Sequence, residues 1–183
     1  MKGLAAEFGI REFVETGTYE GDGCAWASTV FPSVTTIEKR EDYQRKTTKK
    51  LAGLPIRFLL GSSADVMPVV VSGLSAPALF WLDGHSGGGH FGPDDDCPLL
   101  AELAAIAKSP YQHFIIIDDA RAFLAPPPAP FIADRWPNIA DVLDTARAGP
   151  PKFCVVIADT IIAVPPDARR FLTRFCQELR PRI

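Results

Sequence analysis

Three groups of residues have the types and spacing to do chemistry. The first is Glu15-x-Gly17-x-x-x-Gly21-x-Gly23, a glycine-rich run that follows a short apolar segment and leads into a helical one. Glycine at such a place serves a turn that needs positive φ, or a backbone that must touch a ligand. The second is Glu38, which closes the next apolar run fifteen residues after Gly23. A carboxylate there can accept from both hydroxyls of a ribose, or it can be a solvated strand-end charge beside Lys39 and Arg40. The third group is Asp83 and His85, in Trp81-Leu82-Asp83-Gly84-His85, with Asp118 and Asp119, in Ile117-Asp118-Asp119. If the two strands that carry them are neighbours, three carboxylates and an imidazole meet at one edge. Like charges brought together are costly unless a cation or a proton joins them. His90 and the run Asp94 to Asp96 follow shortly after His85. They read either as further ligands for a transition metal or as solvated charges ahead of Pro98.

The elements that must position these groups follow from the apolar pattern. Short runs rich in β-branched residues alternate with longer amphipathic segments, as when parallel strands are joined by crossover helices. The predicted strands are Glu12 to Glu15, Val34 to Glu38, Ile56 to Leu60, Ala78 to Asp83 and Phe114 to Asp118. The predicted helices between them are Asp22 to Val30, Asp42 to Ala52, Ala64 to Ser72 and Pro98 to Ala107. Phe153 to Ala158 and Ile161 to Val164 are joined only by Asp159 and Thr160, too short for a crossover, so they predict a closing hairpin. A last helix, Asp167 to Leu179, starts with Asp167 placed to cap it. The expected fold is α/β: a Rossmann-like three-layer sandwich with a mostly parallel seven-stranded sheet that ends in an antiparallel hairpin. Gly84 to Cys97 and Ala120 to Pro137 fit no element and follow the carboxyl ends of strands, where open α/β sheets bind ligands. The second contains APPPAP, which is stiff, extended and non-helical.

The turn from Glu15 to Gly23 resembles the first motif of the class I S-adenosylmethionine-dependent methyltransferases, in which it passes beneath the cofactor's amino-acid moiety. The same residues, from Thr16, also spell the T-G-x-x-x-G-x-G of short-chain dehydrogenases. Glu20 and Asp22 would set two carboxylates against a dinucleotide's pyrophosphate, and no YxxxK pair is present. The methyltransferase resemblance implies that Glu15, Gly17, Thr18, Gly21, Gly23 and Glu38 bind S-adenosylmethionine. It places Ser62 and Ser63 near the adenine edge, although those serines also suit the start of a helix. The reaction side resembles the metal-dependent O-methyltransferases of the catechol and macrocin types. That likeness implies Asp83, Asp118 and Asp119 as ligands of Mg²⁺, with Asp83 also contacting cofactor and acting with His85 in catalysis. Ala120 and Arg121 stand where that family has Asn or Tyr, and its N-terminal substrate-capping helices have no counterpart in this reading.

The remaining composition bounds the rest. The chain has 183 residues, a formal charge of -3, 47% apolar and 22% charged residues. These values suit one soluble globular domain, and the resemblance above implies that residues 1 to 183 form a single S-adenosylmethionine-binding methyltransferase domain. The charge offers no footprint for a nucleic acid, and no apolar run spans a membrane. Four scattered cysteines fit reduced thiols, so a cytoplasmic location is expected. The expected partner is a small-molecule acceptor. Phe91, Phe123, Phe131 and Trp136, read as exposed loop residues, suggest a homodimer. The alternatives are a non-catalytic S-adenosylmethionine-binding module and a nicotinamide-dependent oxidoreductase.

Overall fold

The central strands of this chain are apolar on both faces, and the computed structural model, which describes residues 1–86 and 97–179, covers both. Val14, Phe80, Leu82, Ile115 and Ile117 point into one buried cluster, while Phe13, Leu79, Phe114 and Ile116 point into another. Alternation with period two sends successive side chains to opposite faces, so strands this apolar must be sandwiched between helices.

In chain order the parallel strands are β1 (Glu12–Thr16), β2 (Ser33–Glu38), β3 (Ile56–Leu60), β4 (Ala78–Leu82) and β5 (Phe114–Ile117). The first three crossovers are α2 (Asp22–Ala27), α3 (Glu41–Lys50) and α4 (Ser63–Ser72), and α5 (Leu99–Ala107) precedes β5. Met67 and Val70 of α4 and Leu103 and Ile106 of α5 fill the first cluster. Cys24 and Ala27 of α2 fill the second. The sheet has seven strands in the order β3-β2-β1-β4-β5-β7-β6, with β6 (Phe153–Ile157) and β7 (Thr160–Val164) antiparallel to each other and β7 antiparallel to β5. The strand order reverses between β1 and β4, the place where open α/β sheets leave a crevice.

Several local expectations change. The hairpin turns on Ala158 and Asp159, at φ 47° and 63°, and Thr160 already pairs with Ile157. A two-residue turn of this hand matches the strand twist and requires positive φ at both central positions, so even the apolar Ala158 leaves the strand. Pro166–Ala168 wind as one turn of 3-10 helix, and the last helix, α8, runs from Arg169 to Leu179, so Asp167 lies inside that turn. Pro98 sits at the N-cap of α5 rather than within it.

Three helices escape the periodic reading: α1 (Lys2–Phe8), α6 (Arg121–Leu124) and α7 (Ile139–Ala146). Leu4 and Ala5 of α1 pack in the second cluster. The start of α7 is a capping box, with Asn138 accepting from the Asp141 amide and Asp141 accepting from the Asn138 amide. Phe123 and Trp136, expected at the surface, are only 2% and 9% exposed, and Phe131 packs against their cluster. Burying these rings removes the reason they gave for a dimer, and Phe91 lies outside the described residues. Among the described residues, no helix is long and apolar enough to cross a membrane.

Candidate active site

The glycine turn begins where β1 ends. Gly17 has φ +83°, and its Cα faces the carbonyl of Asp83 so closely that any side chain would overlap it. The turn and the end of β4 are therefore in direct contact, and the Asp83 amide donates to the Thr16 carbonyl at 3.2 Å. Gly21 is the N-cap of α2. Gly23 lies against Oε1 of Glu15, with no room for a Cβ between them.

Glu15 is 2% exposed. Its Oε2 accepts from Thr36 Oγ1 at 2.6 Å, and Thr36 shares a second 2.6 Å hydrogen bond with Thr18. The Thr18 hydroxyl thus braces the turn from behind. Burial pushes the Glu15 carboxyl up to about 7; the Thr36 bond opposes this shift, and the charge of Asp83 adds to it. The carboxyl opens on a cavity of about 230 Å³ lined by Met1, Phe13, Gly23, Trp26 and Trp81.

Glu38 closes β2 as expected and is 8% exposed. Its two oxygens accept the amides of Tyr19 and Arg40, each at 2.9 Å. That pins the carboxylate across the turn and leaves further lone pairs for ribose hydroxyls. Glu20 and Asp22 carry their own counter-ions, Lys46 at 3.1 Å and Lys50 at 2.9 Å, both on α3. The penalty that a pyrophosphate would meet here is smaller than unpaired carboxylates would impose. Ser62 is the N-cap of α4, and its side chain makes no capping bond. Ser63 is buried and its hydroxyl bonds to Glu102.

The reaction side assembles as the neighbouring strands β4 and β5 require, with one change of membership. Asp83, His85 and Asp119 bring one ligand atom each to within 4.8 Å of one another. Nε2 of His85 lies 3.8 Å from Asp83 Oδ1 and 4.0 Å from Asp119 Oδ2. Asp118 is not in this group; its Oδ1 accepts the amide of Asp119 at 2.9 Å, and its charge still acts on Asp83. Burial, together with Asp118, Asp119 and Glu102, pushes the Asp83 carboxyl up to about 7.

The His85 side chain is 4% exposed. It packs against Trp136 with ring centroids 5.3 Å apart and against Phe123 at 5.9 Å. The loop Ala120 to Pro137 is thus a wall of the site. His90 and Asp94 to Asp96 lie outside the described residues.

Two contributors had not been expected. Glu102, on α5, is 1% exposed beside Gly84, and burial raises its pKa while the Ser63 and Thr16 hydroxyls oppose that. A lone acid in the apolar stretch LLAELAAIA is a signal that could have marked it. The other is Arg121, whose guanidinium bonds Asp119 at 2.7 Å and also Asp159 in the hairpin turn. The Asp159 turn further accepts the amides of Ala120 and Arg121, both at 2.8 Å. This clamp holds Asp119 at φ 52°, a conformation Asp tolerates better than most residues.

No protein-family model matches this sequence, and no curated protein matches it. Solved structures do. The O-methyltransferase TomG of Streptomyces achromogenes, in complex with S-adenosylmethionine, superposes with a TM-score of 0.54 at 18% identity, over 90% of this chain and 77% of that one. An O-methyltransferase from Bacillus cereus in complex with S-adenosylhomocysteine gives 0.57 at 17%, over 90% and 78%. The methyltransferase PaMTH1 of Podospora anserina, also bound to S-adenosylhomocysteine, gives 0.53 at 14%, over 90% and 75%. This is the class I methyltransferase fold. Within it, the antiparallel β7 between β5 and β6 departs from the all-parallel order of a dinucleotide-binding sheet. The glycine turn, Glu38 and the Asp83 cluster all sit at the carboxyl ends of its parallel strands, on the crevice side.

Proposed function

We propose that this chain is an S-adenosylmethionine-dependent methyltransferase that methylates a hydroxyl of a small molecule, assisted by a divalent cation at the ends of β4 and β5. The observation that carries this reading is the contact between Gly17 and the Asp83 carbonyl. It puts a cluster of two carboxylates and an imidazole directly beside the glycine turn, which in this reading underlies the cofactor. A module that only stored the cofactor has no use for such a cluster.

In this reading Glu38 accepts the ribose hydroxyls, and the backbone from Gly17 to Gly23 lies under the methionine moiety. The acceptor oxygen attacks the sulfonium methyl in line, the carbon–sulfur bond breaks, and S-adenosylhomocysteine leaves with the sulfur lone pair. Asp83 and Asp119 would hold the cation, with His85 beside them. When bound, a divalent cation lowers the pKa of a hydroxyl it coordinates. Trp136 and Phe123 keep water from the back of the site, and positioning supplies most of the rate. Without a cation, Nε2 of His85 is the group placed to take the hydroxyl proton.

Calorimetry with S-adenosylhomocysteine, and turnover of S-adenosylmethionine with a panel of hydroxylated acceptors before and after EDTA, tests this. The expected results are cofactor binding, methyl transfer that EDTA abolishes, and its loss in Asp83→Asn. Binding of NAD(H) without S-adenosylhomocysteine would overturn the assignment. Cofactor binding that survives Asp83→Asn and Asp119→Asn, with no acceptor turned over by any form, would reduce the chain to a binding module.

A further inference from the structure

We infer that Asp83, His85 and Asp119 form a mixed imidazole–carboxylate site that takes a first-row transition ion, for which Mn²⁺ is the probe, in preference to Mg²⁺, with Asp118 outside it. The inference rests on the reading above for its use in catalysis. Its evidence and its test are separate.

The key atom is Nε2 of His85. It is buried, makes no hydrogen bond, and faces the carboxylates of Asp83 and Asp119. The other ring nitrogen, Nδ1, lies 3.4 Å from the Ser86 carbonyl. A carbonyl only accepts, so this contact favours the tautomer with the proton on Nδ1, which leaves Nε2 a lone pair. A lone pair aimed at two carboxylates is repulsive until a cation or a proton sits among the three, and a metal ion satisfies all three donors at once. A backbone carbonyl behind the distal nitrogen is also the usual means of orienting a ligating histidine.

The geometry suits a metal after a small contraction. Bonds of about 2.1 Å at tetrahedral to octahedral angles put donor atoms about 3.0 to 3.4 Å apart. Nε2 is now 3.8 and 4.0 Å from its two neighbours. Each carboxylate brings one oxygen, because Asp119 commits Oδ1 to Arg121 and turns Oδ2 inward. Asp118 brings no oxygen within 4.8 Å of all three of these donor atoms, and its Oδ1 accepts the amide of Asp119. The Asp83 and Asp119 side chains are 38% and 30% exposed, so the outer coordination positions open toward the crevice, where water and an acceptor oxygen can enter.

The donor set decides the ion. Mg²⁺ demands near-octahedral oxygen and dehydrates reluctantly, whereas imidazole suits manganese, iron, cobalt and zinc progressively better. Replacing one carboxylate of an all-oxygen set by a buried imidazole removes a charge that Mg²⁺ needs and adds a donor that it does not favour.

The test uses the full chain, freed of metal by dialysis, titrated calorimetrically with Mn²⁺ and with Mg²⁺. Electron spin echo spectra of the Mn²⁺ complex then report nitrogen bound to the ion. The expected results are one Mn²⁺ per chain, bound at least about tenfold tighter than Mg²⁺, with clear nitrogen modulation. His85→Ala should abolish the modulation and weaken Mn²⁺ by about tenfold or more, while Asp118→Asn should change its affinity by less than about threefold. Equal affinity for the two ions overturns the inference, as does a Mn²⁺ complex without nitrogen modulation or an Asp118→Asn loss as large as that of Asp83→Asn. The wild-type spectrum decides the ligand even if a variant fails to fold. Cofactor binding is measured on the same samples: S-adenosylhomocysteine bound with no Mn²⁺ bound sinks this inference alone, and Mn²⁺ bound without any cofactor sinks the methyltransferase reading alone.

Discussion

The guanidinium of Arg121 lies 2.7 Å from Oδ1 of Asp119 and so claims one oxygen of a carboxylate whose other oxygen faces His85. The side chain of Arg121 is 69% exposed, and such a pair contributes at most about 1 kcal/mol to folding. Its value lies in orientation. Arg121→Gln is therefore expected to leave urea denaturation within about 1 kcal/mol of wild type while weakening Mn²⁺ by about tenfold in calorimetry. Tighter Mn²⁺ binding would mean that the guanidinium repels the ion more than it aims the carboxylate.

Glu15 makes folding depend on pH. Its ordinary value of 4.5 is raised to about 7 in the fold, so the native state binds the proton more tightly than the unfolded chain does. The stability this contributes is complete below about pH 4.5 and is lost as pH rises through about 7. Two and a half units correspond to an upper figure of about 3 kcal/mol. Urea denaturation at pH 5, 6, 7 and 8 should show Glu15→Gln gaining on wild type as pH rises. Parallel curves would place the proton elsewhere.

A Cβ on Gly23 would stand where the Glu15 carboxyl is, so Gly23→Ala must displace the carboxyl or the turn. A cost of about 1 to 3 kcal/mol in thermal unfolding is expected, together with at least about a tenfold loss of S-adenosylhomocysteine affinity. Gly17→Ala should be worse, because its neighbour is the Asp83 backbone and its φ is positive. Wild-type cofactor affinity in either variant would detach the turn from the cofactor.

Much of this architecture is legible in the residues themselves. β1, β4 and β5 are largely apolar runs that end at a polar or charged residue, β2 and β3 are β-branched or apolar runs of like length, and the chain before each next strand is long enough for a helix, so a parallel sheet is the economical solution. Asp83 and Asp119 converge because β4 and β5 are neighbours, which the order of the elements already favours. What stayed hidden is non-local or directional. Lys46 and Lys50 neutralise Glu20 and Asp22 across a whole strand. Asp118 and Asp119 are the same residue type, and which one turns inward depends on the positive φ of Asp119 and the clamp from Asp159. The side on which Glu102 lies depends on how α5 is rotated against the sheet. The loop aromatics read as exposed because no local pattern shows that His85 is what they cover.

Trp136 holds that cover together, with ring centroids 5.1 Å from Phe131, 5.8 Å from Phe123 and 5.3 Å from His85. Trp136→Ala should cost about 3 kcal/mol or more, whereas Trp136→Phe should cost clearly less. Thermal unfolding of both variants checks this, and equal melting temperatures would mean the loop packs without the indole.

Metal affinity should itself follow pH. Burial and neighbouring acids push Asp83 up to about 7, so below that value an ion must displace a proton. Mn²⁺ affinity is expected to fall about tenfold for each unit below about pH 7, and calorimetry in buffers of different ionisation enthalpy should record proton release. An affinity unchanged from pH 5.5 to 7.5 would exclude Asp83 as a ligand.

The docking of Ala158 and Asp159 onto Ala120 and Arg121 makes the two edges of the sheet unequal for anyone who wishes to rebuild this protein. A purification tag, a fused domain or a longer loop grafted at that hairpin tip would pull on Asp119, and its effect would be read as lost activity rather than lost folding. At the opposite edge, Gly53, in the approach to β3, meets nothing within 4 Å among the described residues, so an insertion there should disturb the Asp83 cluster less, provided Lys46 and Lys50 keep their hold on Glu20 and Asp22.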